Sequence, residues 1–211
     1  MRWTRRLPLV LLVLAPAGMV LIALLNFRIY RIPTSAMEST LLVGDRLLAR
    51  SHRGTLPQRG EILVFDDAGV LNVKRVVAIA GDRVRIHQKT LFINGKEQTE
   101  RYVTHVDRHV APIRDEFPSA DRERFVRDPS WAAFLERSLA AGEITVPNGT
   151  SFALGDNRDA SFDSRFRGFF RNEQIVGRAV MILFSFETDK DHGFDRIPTG
   201  PLRGERFLKP L

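Results

Sequence analysis

The spacing of apolar positions changes character once along the chain. From Leu7 to Leu25 the run LPLVLLVLAPAGMVLIALL carries no charge, and at about 19 residues it is long enough to cross a bilayer core as a helix. After it, apolar residues come in short β-branched and aromatic runs punctuated by Gly, Pro and Asn, the texture of strands and turns. Candidate strands lie at 41–49, 61–66, 72–81, 83–95, 151–156 and 177–186. Within 83–95, Val84 and Ile86 alternate on one side while Leu91, Phe92 and Ile93 return, which predicts a hairpin followed by a tight turn at Asn94-Gly95. A charged, proline-containing stretch follows, ending in DPSWAAFLERSLAAGEI. That segment predicts a short helix capped by Asp128 or Ser130, with Trp131, Phe134, Leu135 and Leu139 on one face.

The pattern therefore predicts a mainly β fold, with a single N-terminal transmembrane helix leading into a β-rich body that carries a smaller insertion. The expected boundaries are 1–6 for a cytoplasmic N-terminus, 7–26 for the anchor and 27–211 for the extracytoplasmic body, with the insertion at about 101–143. The basic, proline-rich tail from Asp189 onward is expected to be loosely ordered.

Composition narrows this picture in two ways. There are no cysteines, which excludes disulfides, thiolate metal sites and a cysteine nucleophile. The net charge of +7 suits anionic lipid, an acidic polymer or nucleic acid. Nucleic acid is not an expected partner, because the basic residues are scattered and an outward-facing domain would not meet it. Arg2, Arg5 and Arg6 before the apolar run, with Ala15-Pro16-Ala17 inside it, also fit a cleavable signal peptide. The run continues through MVLIALL beyond the usual length of such a core, which favours an uncleaved anchor. The arginine bias puts the N-terminus in the cytoplasm and the body on the outer face, with Arg28, Arg31 and Arg46 near lipid headgroups.

Three features bear on chemistry. The five histidines sit in no motif; His105 and His109 share the spacing of helical metal ligands but have no Glu between them, so no metal site and no cofactor is expected. Lys74 stands in NVKRVVAIAG among Val73, Val76, Val77 and Ile79. Burial there would lower its pKa and make its amine a general base able to activate a nearby hydroxyl, whereas a strand-edge position would let it reach water. The third feature is GDNRDASFDSRFRGFF (155–170), whose Asp156, Asn157, Arg158, Asp159, Asp163 and Arg165 can pair with and cap one another as a rigid support behind a site.

Taken in order, the anchor, IPTSAMESTLLVGDRLLA (32–49), RGEILVFD (59–66), VKRVVAIAGDRV (73–84), LFINGK (91–96) and LGDNRDASFDSRFRGF (154–169) resemble the bacterial type I signal peptidase (leader peptidase) family. The resemblance implies a membrane-anchored Ser/Lys endopeptidase of the cytoplasmic membrane, acting on exported preproteins after small-x-small motifs. It implies Lys74 as general base, Arg75 as its structural neighbour, and Ser161 as the hydroxyl that orients the lysine amine. Asp163 and Arg165 become a supporting ion pair, and Thr34 becomes a donor to the oxyanion hole.

The chain departs from the family pattern at one place. That pattern reads approximately Ser-x-Ser-Met-x-Pro-Thr-Leu, and its second Ser attacks; with Met37, Thr40 and Leu41 aligned, Ala36 occupies the attacking position and Ser39 that of the Pro. Ser35, one residue away, is the expected displaced nucleophile. The alternative expectation is a catalytically silent homologue that binds signal-peptide ends or assists another peptidase.

Overall fold

A computed structural model of the chain describes residues 26–52, 54–121, 125–188 and 198–211. Apart from Asn26, the predicted anchor lies outside the described residues, as does the first part of the tail. Among the described residues no helix is long and apolar enough to cross a membrane.

Thirteen strands are described in chain order: β1 (Phe27–Arg31), β2 (Asp45–Ser51), β3 (Ile62–Asp67), β4 (Val70–Ile79), β5 (Arg83–His87), β6 (Thr90–Ile93), β7 (Lys96–Glu97), β8 (Ile144–Thr145), β9 (Thr150–Leu154), β10 (Phe170–Arg171), β11 (Ile175–Thr188), β12 (Pro198–Leu202) and β13 (Lys209–Pro210). Nine form one sheet in the order β1-β2-β11-β3-β4-β9-β10, with β12 and β13 also paired to β11, and every pairing in it is antiparallel. The other four form a small sheet, β7-β6-β5-β8. Its hairpin keeps the predicted alternation. Val84, Ile86, Leu91 and Ile93 are buried, while Phe92 faces the other side, against the Arg85 guanidinium.

The helical signal is realised as α1 (Pro129–Ser138). Asp128 caps it by accepting from the Ser130 and Trp131 N–H groups, and Trp131 and Leu135 are buried. Trp131 and Phe134 stack on each other and meet Phe169 edge-on, which seats α1 on the core shared by the small sheet and β9. A second, one-turn helix, α2 (Ser164–Arg167), lies in the polar loop after β9.

The expectation of a loose tail is corrected for 198–211. β12 and β13 pair with β11, and the buried Arg206 guanidinium reaches the fully buried Asp45 at 2.9 and 2.5 Å and the Thr40 carbonyl at 2.9 Å. A buried carboxylate needs a charged partner. This one finds it 161 residues away, where no local pattern signals it.

Candidate active site

The segment 32–41 joins β1 to β2, and its phase is set by packing. Ile32, Met37 and Leu41 are buried in the core formed with β2, β3 and β11. Thr34 is extended, and Ser35–Met37 then make a single 3₁₀ turn. With Met37 turned into the core, the turn presents Ala36 to a cleft, and the Ala36 carbonyl is fixed by the Asn157 N–H at 3.1 Å. Thr40 Oγ1 donates to Asp156 at 2.5 Å, and Ser39, with φ +88°, donates its hydroxyl to the Tyr102 carbonyl.

The cleft has a volume of about 690 Å³. Thr34, Ala36 and Lys74 line it; Ser35 does not. Ile29, Val70, Leu71 and Phe162 line it as well and are each more than half exposed, so its mouth is apolar. Sequence reasoning missed these four, because an exposed hydrophobic residue looks like a core residue until the fold places it. Lys74 is 5% exposed. Burial is the main reason its pKa falls below the ordinary lysine value; Asp163 opposes the shift, and Arg165 and Arg167 reinforce it.

Arg75, next along β4, points elsewhere, as strand alternation requires. It grips Asp156 at 2.9 and 2.7 Å, donates to the Gly60 carbonyl and stacks over Tyr102. Tyr102 in turn donates to Glu100, which also receives Arg158 at 2.7 Å. Sequence reasoning did not single out Glu100 or Tyr102, which lie outside every motif.

Ser161, Asp163 and Arg165 come together behind the cleft, all buried. The Ser161 Oγ is buried with no hydrogen-bond partner among the described residues. Gly155 is required here: a Cβ at that position would collide with Ser161 Oγ and with the Ala36 carbonyl. Burial alone would raise the Asp163 pKa, but Arg165, bonded at 2.9 and 2.8 Å, and the Gly155 N–H hold it below the usual carboxylate range. Arg165 and Asp163 are both fully buried. Asp163→Ala should therefore leave an unpaired buried guanidinium and cost about 3–5 kcal/mol, read as a lowered denaturant midpoint at unchanged m-value.

Among the described residues, one group of histidine and carboxylate side chains is close enough to share an ion: His105, Asp115 and Asp159, none of which lines the cleft.

Residues 2–184 match the family described as "Signal peptidase, peptidase S26". A probable signal peptidase I-2 from Synechocystis sp. is 33% identical over 160 residues, covering 71% of this chain and 60% of that protein. Signal peptidase I of Haemophilus influenzae is 28% identical over 248 residues, covering 88% and 70%. Signal peptidase IB of Staphylococcus aureus is 28% identical over 173 residues, covering 79% and 82%. The chain thus spans about three fifths of the length of the Synechocystis relative. The crystal structure of a signal peptidase I from Enterococcus faecalis aligns with 58% of this chain and 96% of its own, at 31% identity and a TM-score of 0.40.

Proposed function

The chain belongs to the signal peptidase family, peptidase S26, and from that premise we propose that it is a membrane-anchored serine endopeptidase of the Ser/Lys type, removing signal peptides from exported preproteins after small-x-small motifs. One observation carries this reading: a buried lysine of lowered pKa, Lys74, shares a cleft with Thr34 and with the 35–37 turn. At neutral pH a lysine serves as a general base only when its environment disfavours the ammonium, and burial does that here.

In this mechanism the Ser35 hydroxyl attacks the scissile carbonyl as the Lys74 amine takes its proton. The Thr34 hydroxyl and the N–H of residue 36 donate to the developing oxyanion. Lys74 then gives the proton to the departing amine, and water releases the acyl group with Lys74 again as base. In this reading the Ser161 Oγ, unpartnered among the described residues, orients the lysine amine once substrate is engaged, while Asp163 with Arg165 holds the loop that carries Ser161. Arg75 sets the strand. Because Ser35 does not line the cleft, this reading requires the 35–37 turn to rotate.

The body is assigned to the outer face of the cytoplasmic membrane, with Arg28, Arg31 and Arg46 toward lipid headgroups. Neither a metal nor a cofactor enters these steps.

A second reading is favoured by the presence of Ala36, rather than Ser35, on the cleft wall. In it the cleft holds signal-peptide ends without cutting them, or assists another peptidase. Incubating the detergent-solubilised full chain with a preprotein bearing an Ala-x-Ala site separates the two. Mature product from the unmodified chain, lost in Ser35→Ala, is the expected result; saturable peptide binding without product over long incubation establishes the second reading instead.

A further inference from the structure

The group His105, Asp115 and Asp159 lies where the 104–115 segment meets the loop that carries Ser161 and Asp163. Each offers one ligand atom, and these three atoms lie within 4.8 Å of one another. Hydrogen bonds divide the oxygens of each carboxylate into a held one and a freer one. Asp115 is fully buried, and its Oδ2 accepts from the Ala111 N–H at 2.8 Å and from Arg114 at 2.9 and 2.7 Å. Its Oδ1 is equally buried and has no hydrogen-bond partner among the described residues. Asp159 Oδ2 is held by the Val106 and Asp107 N–H groups at 2.6 and 2.7 Å, while its Oδ1 lies 3.2 Å from His105 Nδ1 and 3.4 Å from Arg114 Nε.

A buried carboxylate oxygen with no donor is costly, and nearly all such atoms in folded proteins are satisfied. The charges around it do not balance. Asp107, Asp115 and Asp159 face Arg114, which contacts all three, and Lys89, whose Nζ is 3.9 Å from Asp115. Leaving aside the His105 and His109 imidazoles, which face Asp159 and Asp107, three carboxylates against two cations leave one negative charge. Ligating carboxylates are commonly held in this way, with the second oxygen bonded to surrounding donors.

We propose that His105, Asp115 and Asp159 bind one divalent transition-metal ion, zinc being the best match, which ties the 104–115 segment to the 156–159 loop. The imidazole favours zinc over calcium or magnesium, which prefer all-oxygen shells. The backbone between the two segments is already joined, since Thr104 and Asn157 form a bridge and Arg158 N–H donates to the Thr104 carbonyl. The ion is a structural clamp, held by residues none of which lines the cleft.

The test uses the full chain in detergent, stripped with chelator and titrated with Zn²⁺ or Co²⁺ alone, and does not depend on cleavage. The expected result is one ion per chain, visible Co²⁺ absorption bands of a low-coordinate site, and a melting temperature raised by about 5–10 °C at hundredfold excess over Kd. His105→Ala and Asp115→Asn should each abolish the Co²⁺ bands, and His105→Ala, being partly exposed, should fold regardless. His87→Ala serves as the control for adventitious surface binding, because His87 and Glu116 form an exposed pair 3.0 Å apart. Absence of stoichiometric binding overturns the proposal, as does binding that persists in His105→Ala or disappears in His87→Ala.

Discussion

Ala36→Ser should raise preprotein cleavage by between about 10² and 10⁶. The turn already presents residue 36 to the cleft with Thr34 and Lys74, its carbonyl is fixed by Asn157, and the substitution adds one oxygen to a methyl group on the cleft wall. The size of the gain is as informative as its sign. If Ser35 already attacks from a strained or misaligned position, restoring an aligned hydroxyl recovers roughly the hundredfold that a 1 Å misplacement costs. If no hydroxyl attacks in the unmodified chain, the gain approaches the 10⁶ or so associated with losing a protease nucleophile. The single-turnover rate constant of both chains makes the measurement. No gain at all would mean that the cleft does not hold the scissile bond at residue 36.

In that restored background, Lys74→Ala should remove nearly all of the activity, on the order of 10⁴–10⁶, since nucleophile and base act as a unit. The pH dependence supplies a second signature. Only the neutral amine accepts a proton, so the rate should fall as pH drops through the Lys74 pKa, which burial places below the usual 10.5. Stability should move in the same direction. Between the lowered folded-state pKa and 10.5 the unfolded chain binds more protons than the folded one, so unfolding free energy rises with pH across that window. Lys74→Met, which keeps the bulk but cannot titrate, should flatten both trends. A pH-rate profile unchanged in Lys74→Met would remove Lys74 from the mechanism.

What could be read from the sequence followed the range of the interactions involved. The hairpin at 83–93 was legible because its period-two alternation survives as a buried face in the structure. The helix at 129–138 was legible because Asp128 and its apolar stripe are local signals. Lys74 stood out by its valine neighbours, and its burial follows from their packing. The order of residues 198–211 was not legible, because Arg206 finds Asp45 across the described fold. The exposed rim of Ile29, Val70, Leu71 and Phe162 was equally invisible, since it joins residues from three separate segments. The role of Ala36 rests on turn phase, which is fixed by where Met37 and Leu41 pack rather than by any pattern within 34–36.

The Arg206 contact with Asp45 and Thr40 also has a temporal meaning. Thr40 follows the 35–37 turn by three positions, and one of its restraints comes from a side chain 166 residues later in the chain. During synthesis, the segment that carries the 35–37 turn is made early and secured late. A chain clipped ahead of residue 206 is left with the Asp45 carboxylate without its cation and a loop without its final tether. The shape of the cleft wall at 32–41 is therefore settled only once residue 206 is in place.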